Sequence, residues 1–121
     1  MNWEVELYAK ENGEIPVLEF QRSLPTKHRA KSIRDVRLLA EFGANLREPH
    51  VKAIKSAKYK GLWELRTKFS SDISRIFYFL PVGNRFVLLH GYVKKDTKLD
   101  NRELDIAKKY MDDYMRRTRN E

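Results

Sequence analysis

The residues best suited to chemistry lie in one part of the chain, where polar and apolar residues alternate. Arg66, Arg75, His90 and Tyr92 are in this part, and Lys95 follows directly after it. Guanidinium groups bind phosphate oxygens in pairs and stay charged at any working pH. A histidine has an ordinary pKa of roughly 6.5, which suits proton transfer near neutrality. This set indicates binding and cutting of an RNA phosphodiester, with the neighbouring 2′-hydroxyl as the attacking group.

Such cleavage needs a proton acceptor, cations beside the crowded phosphorane and a proton donor for the leaving 5′-oxygen. Arg66 and Arg75 suit the cationic role. The proton-transfer groups stay open among the titratable side chains nearby: His90, Tyr92, Lys94, Lys95 and Glu64. A tyrosine or lysine would serve if the site depressed its pKa, whereas the histidine needs no such shift.

Three strands are predicted to position these residues, since successive side chains on a strand point to opposite faces. The run from Leu62 to Phe69 puts Glu64, Arg66 and Lys68 on a charged face and apolar residues on the other. Residues 74–80 and 85–93 are predicted to be the two strands of a hairpin, and the Pro-Val-Gly-Asn segment at 81–84 is predicted to be the turn that joins them.

The register of this second hairpin decides the partner of Arg75. A turn centred on residues 82–83 sets Arg75 across from His90, and a shift of two residues sets it across from Tyr92. An even number of loop residues in the preceding hairpin keeps the basic residues of the earlier strand on the same face as Arg75, whereas a bulge would not, and we favour the even loop. We therefore expect three basic side chains to share one polar face of the sheet: Arg66, Lys68 and Arg75. Alanine at position 75 should then abolish cutting and leave the fold nearly intact.

The N-terminal part of the chain predicts one strand and two helices. The strand runs from Trp3 to Tyr8, a short helix from Ile15 to Leu24, and a longer helix from Pro25 to Gly43. The apolar positions of the longer helix recur every three or four residues: Ala30, Ile33, Val36, Leu39 and Ala40. Its opposite side carries a basic stripe typical of a solvated face: Lys27, Arg29, Lys31, Arg34 and Arg37. Two histidines are expected at the surface: His28 and His50.

The remaining segments are a connection and a final helix. Asn45 to Lys60 is expected to have no order of its own and to supply cations that contact phosphates. The predicted RNA-binding lysines are Lys52, Lys55, Lys58, Lys68 and Lys94. Asp100 to Arg119 predicts an amphipathic helix with Asp100 as its N-cap and one buried stripe: Leu104, Ala107, Met111 and Tyr114.

This order of elements, β-α-α-β-β-β-α, predicts an α+β fold in a single domain over residues 1–121. We expect an antiparallel sheet with the two N-terminal helices packed on it, a C-terminal helix, and all helices on one face. A chain of this length can bury one core of its own.

Composition limits the function classes. Twenty-five Lys and Arg against 17 Asp and Glu give a formal charge of +8, which favours a polyanionic partner such as RNA, DNA or an acidic protein. The absence of cysteine excludes disulfides, thiolate chemistry and cysteine-based zinc sites, and the three histidines lack metal-ligand spacing. We therefore expect neither a metal nor a cofactor. Neither a membrane-spanning run nor a basic secretory start is present, so a cytoplasmic location is expected.

Five segments together resemble the RelE/ParE toxin superfamily, with its HigB-type, phage-derived branch the most similar. These segments are Glu14 to Phe20, Leu38 to Gly43, Gly61 to Arg66, Arg75 to Tyr78, and Leu89 to Lys95. The resemblance implies the toxin of a type II toxin–antitoxin pair that cuts messenger RNA in the ribosomal A site without a metal. It also implies a cognate helix-turn-helix antitoxin as partner.

Three site residues follow from the resemblance. Arg66 matches a strand-borne lysine or arginine of the family's ribonucleases, Arg75 matches their phosphate-stabilising arginine, and Lys95 lies near a later basic residue. Glu64 departs from the pattern, because the ribosome-cutting relatives often have lysine there. Their C-terminal tyrosine has no clear counterpart in this chain.

Other interpretations of the same residues remain. Arg75 and Glu64 would form an ordinary cross-strand ion pair, and His90 would be a histidine at the edge of the core. At the level of function, one rival is a noncatalytic module that binds RNA or DNA through the same basic sheet. Another is a ParE-like toxin that poisons DNA gyrase.

Overall fold

A computed structural model describes residues 3–94 and 100–119. In these ranges the strands are β1 Glu4–Leu7, β2 Val51–Ala53, β3 Trp63–Phe69, β4 Asp72–Val82 and β5 Arg85–Lys94. The helices are α1 Pro16–Ser23, α2 Thr26–Phe42 and α3 Asn101–Thr118, and short 3-10 turns occur at Gly43–Asn45 and Ala57–Tyr59. The predicted α+β class is confirmed.

The strands form one mixed sheet in the order β1-β5-β4-β3-β2. β1 runs parallel to β5, with Leu7 beside Leu88, and the other neighbours are antiparallel. The predicted all-antiparallel sheet is therefore wrong at β1. The alternation that marks a strand contains no information on its direction relative to a partner about 80 residues away in the chain.

Helices lie on both sides of this sheet, so the prediction of a single covered face is wrong. Phe77 and Phe79 pack with Leu104 of α3 in one apolar cluster, the α3 cluster. Ile76 and Tyr78 point the other way and pack with α1 and α2 in a second cluster, the α1–α2 cluster. The sequence held the signal, because nearly continuous apolar runs such as those of β4 and β5 are typical of strands buried on both faces.

The segment between α2 and β3, predicted to lack order, contains the edge strand β2. This strand pairs with β3 through Val51 beside Leu65 and Ala53 beside Trp63. Val51 and Tyr59 fix the segment because they are buried in the α1–α2 cluster and the α3 cluster, respectively. Isolated apolar residues among lysines show no period, so the sequence pattern did not predict this strand.

The buried stripe of α2 is mostly polar, and the predicted inward positions are partly wrong. Ala30 and Ile33 are exposed, while the buried residues are His28, Ser32, Asp35 and Leu39. Each buried polar group has a partner. Gln21 Nε2 donates to Ser32 Oγ at 3.1 Å, Thr67 Oγ1 donates to Asp35 Oδ2 at 2.7 Å, and His28 Nε2 lies 3.2 Å from Ser74 Oγ. The expectation that His28 lies at the surface is therefore wrong, because this histidine is buried beside Ser74. His50 is exposed, as expected.

The prediction for α3 is confirmed in detail. The Asp100 side chain caps the helix by accepting from the backbone N–H groups of Arg102 and Glu103. The four predicted inward residues are the buried ones: Leu104, Ala107, Met111 and Tyr114. Among the helices described, none has the length and apolarity needed to cross a lipid bilayer.

Gly91 allows α1 to approach β5 closely, beside the strand residues that face the candidate site. A Cβ at position 91 would lie 2.4 Å from the ring of Phe20. Gly91→Ala is therefore expected to lower the free energy of unfolding by about 1–3 kcal/mol, the usual range for overpacking. Urea unfolding measures this loss. Gly83→Ala is the control, because its Cβ meets nothing within 4 Å, and an equal loss in both variants would contradict the steric explanation.

Candidate functional site

The candidate site consists of two neighbouring rows of side chains on the α3 side of the sheet. In the first row Arg66 on β3 is paired with Arg75 on β4, and Arg75 with Tyr92 on β5. In the second row Glu64 on β3 is paired with Phe77 on β4, and Phe77 with His90 on β5. Four predicted site residues therefore share one face: Arg66, Arg75, His90 and Tyr92.

A bulge in β5 gives His90 and Tyr92 this orientation. Phe77 pairs with His90, but the next residue, Tyr78, pairs with Leu88, so Leu89 is the extra residue. Leu89 packs in the α3 cluster, and the bulge allows the residue after it to point to the same side. The hairpin turn is centred on residues 83–84, because Val82 pairs with Arg85. The structure thus has the second of the two predicted registers, with Arg75 across from Tyr92.

The arginine pair is an unusual arrangement for a sheet. Like charges directly opposite one another destabilise a strand pair. Glu64 offsets part of this repulsion, since its Oε2 lies 3.6 Å from Arg75 Nη1 and both side chains are at most 10% exposed. The Nε atoms of Arg66 and Arg75 are buried and have no hydrogen-bond partner among the described residues. Buried donors without partners are rare in folded proteins and suggest a missing ligand or a functional role.

Arg75 lies on the face of the sheet that was predicted, but it is buried there, with only 6% of the residue exposed. The ion pair with Glu64, considered above as an alternative interpretation, is present. Arg66 is half-buried and therefore more accessible to a ligand than Arg75. The arrangement therefore offers Arg66 to a ligand first, with the positive charge of Arg75 directly beside it.

His90 is held by α3. Its Nε2 lies 2.9 Å from Glu103 Oε2, and the two side chains are 16% and 23% exposed. Because a carboxylate only accepts hydrogen bonds, this contact assigns the proton to Nε2 of neutral His90 and leaves Nδ1 as an acceptor. Glu103 was missed in the sequence, although Asp100 and Glu103 have the spacing of a capping box.

Tyr92 packs its ring on Phe77, with the ring centroids 5.7 Å apart. Burial raises the pKa of Tyr92 to about 12, against the lowering effect of the nearby Arg75 charge. The idea that the site depresses this pKa is therefore wrong. A protonated Tyr92 hydroxyl suits donation of a proton and does not suit proton abstraction near neutral pH.

The predicted RNA-binding lysines are more dispersed. Four of them are exposed: Lys52 on β2, Lys55 and Lys58 after it, and Lys68 on β3. Lys58 Nζ is 3.2 Å from Asp105 of α3. Lys94 is the last residue of β5, and Lys95 lies outside the described residues. Within those residues, no three His, Asp or Glu side chains are grouped so that they could hold a metal ion.

Comparison with known proteins gives one family. The family model of the phage-derived protein Gp49-like (DUF891) matches residues 19–112. That range covers most of the chain, from the middle of α1 to the second half of α3. No curated protein sequence matches the chain.

Proposed function

The chain belongs to the Gp49-like family of phage-derived proteins, a RelE-like toxin family of toxin–antitoxin systems, and we propose that it is such a toxin. We further propose that it is an endoribonuclease of the HigB type, which cuts messenger RNA in the A site of translating ribosomes. Its protein partner is then a helix-turn-helix antitoxin that neutralises it.

One observation carries the ribonuclease proposal: Arg66 and Arg75 lie directly across from each other with buried Nε–H donors that no described residue accepts from. A phosphate group supplies both the missing acceptors and the missing negative charge. Arginine is suited to this task because its planar fork matches two phosphate oxygens at once. In the proposed complex the scissile phosphate lies against Arg66, and the adjacent Arg75 stabilises the charge that develops on it.

The same geometry supports the proton-transfer roles that we propose. His90 Nδ1 takes the proton of the 2′-hydroxyl as its oxygen forms a bond to phosphorus. The bond from phosphorus to the 5′-oxygen then breaks, and the Tyr92 hydroxyl donates a proton to that leaving oxygen. Phe77, in the second row, packs against Tyr92 of the first row. Glu103 acts through His90 and is a positioning residue.

The test is a cleavage assay with purified protein, a defined message and ribosomes, in which the cut ends are mapped. Cuts within codons are expected on translated message, and none on the same message when initiation is blocked. Intact message together with a fall in gyrase supercoiling would replace the proposal with a ParE-like activity. Message that is bound and remains whole during translation would instead support the noncatalytic module.

Glu103→Gln tests the positioning role. This variant keeps a side chain of the same shape but removes the negative charge that orients and stabilises His90. A hydrogen bond to a charged group is worth on the order of 1.5 kcal/mol, so kcat is expected to fall about tenfold. KM should stay nearly constant, because Glu103 is not proposed to touch RNA. A rise in KM with unchanged kcat would contradict this role.

A further inference from the structure

A second group of cations lies at the edge of β3, beyond Leu65, where the pairing with β2 stops. The Arg66 backbone N–H donates to the His50 carbonyl at 2.8 Å, and this is the last backbone hydrogen bond across that edge among the described residues. Further on, Lys31 Nζ from α2 donates to the carbonyl of Lys68. A side chain of α2 thus donates to a carbonyl of β3 at a position where β2 does not pair with β3.

A cavity of about 260 Å³ opens at this edge. Its cationic lining comes from two elements, with Lys31 and Arg34 from α2 and Arg66 and Lys68 from β3. The exposed His50 also contributes to the wall. The cavity is therefore a separate space that shares one residue, Arg66, with the candidate site.

The charge in this cavity is poorly balanced. Asp35 supplies the one carboxylate of its lining, and that carboxylate already accepts a hydrogen bond from Thr67 Oγ1 at 2.7 Å. Four cationic side chains line the same cavity. Positive charge concentrated in this way favours an anionic ligand.

We propose that this cavity binds a second phosphate group of the RNA, adjacent to the one that is cut. The inference rests on the proposed function and extends it from one phosphate to two. Arg66 links the sites, because it lines the cavity and also lies directly across from Arg75. The volume suits a phosphate with part of its ribose, and it is below the range of pockets that enclose larger ligands. A single-stranded message supplies successive phosphates along one path.

The test measures binding of a 2′-O-methyl oligoribonucleotide of eight nucleotides by fluorescence anisotropy at a series of salt concentrations. This RNA has no free 2′-hydroxyl and cannot be cut, so binding is separated from cleavage. Arg34→Ala is expected to reduce the slope of log affinity against log salt by about 0.7, the value for one phosphate contact on a single strand. Arg34→Lys, which keeps the charge, should retain the wild-type slope.

The matched control is Arg37→Ala. Arg37 is also an exposed cation on α2 but does not line the cavity, so its replacement should leave the slope unchanged.

Equal slopes for the Arg34→Ala variant and the wild type would overturn the inference, as would equal losses for both alanine variants or no binding of this RNA. If the slope depends on Arg34 but translated message stays intact, the second phosphate site stands and the ribonuclease proposal fails. If translated message is cut and the slope does not depend on Arg34, the ribonuclease proposal stands and the second phosphate site fails.

Discussion

Replacing Arg66 with alanine is expected to slow cleavage of translated message by about 10²–10³-fold, the usual loss when one prearranged donor to a developing negative charge is removed. Arg66 has no ion pair with any described carboxylate, and its Nε–H lacks an acceptor there. The variant therefore loses a phosphate ligand without leaving a carboxylate unpaired. Its melting temperature should remain near that of the wild type. Single-turnover cleavage on ribosomes and thermal unfolding measure the two effects.

Arg85→Ala is the matched control for this prediction. Arg85 is also a strand arginine, but it lies at the start of β5 and pairs with Glu4 at 3.3 Å and Glu6 at 3.8 Å. Its replacement lowers the net charge by the same amount without touching the candidate site. Cleavage by this variant should stay close to the wild-type rate. A comparable fall in both variants would mean that overall positive charge, and not the position of Arg66, determines the rate.

Part of the site follows from the two-residue period of a strand. Alternation alone predicted that Arg66 shares a face with Glu64, and an even loop predicted that Arg75 joins them. Both predictions are confirmed, because Phe69 pairs with Asp72 across a two-residue loop. These features depend on residues close together in the chain, where strand geometry and turn length leave few alternatives.

Other parts of the site depend on contacts that no local pattern contains. The turn at residues 83–84 selects one of the two registers that the sequence allowed, and the bulge at Leu89 offsets a second register shift between Phe79 and Val82. Glu103 reaches His90 only after α3 has folded back over the sheet. The sequence showed that Arg75 is charged, but its burial depends on that same long-range packing. Local periods predict which residues share a face, and the tertiary fold decides how deeply each is covered.

The buried face of α2 shows a different limit. Counting apolar positions placed Ala30 and Ile33 inward, but Ser32 and Asp35 are the buried residues. Polar side chains can occupy a core when each finds a hydrogen-bond partner. The partner of Asp35 is Thr67, 32 residues further along the chain. An apolar pattern cannot reveal such a pair, because it assigns every polar residue to the surface.

Alanine in place of Arg75 is expected to destabilise the fold, contrary to what the sequence suggested. Arg75 and Glu64 form an ion pair with side chains 8% and 10% exposed. Removing one partner of a buried pair leaves the other charge uncompensated and costs about 3–5 kcal/mol. The free energy of unfolding in urea should fall by about that amount. Cleavage should also be lost, and at a temperature where the variant is still folded.

A second substitution separates the ion pair from the catalytic role of the arginine. Glu64→Gln in the Arg75→Ala background removes the uncompensated carboxylate, so it should restore a large part of the lost stability. Cleavage should remain absent in this double variant, because the amide does not replace the positive charge beside the scissile phosphate. If the stabilised double variant cut message at the wild-type rate, Arg75 would serve the fold alone. If glutamine restored no stability, the loss in Arg75→Ala would come from packing of the arginine side chain and not from the unpaired Glu64.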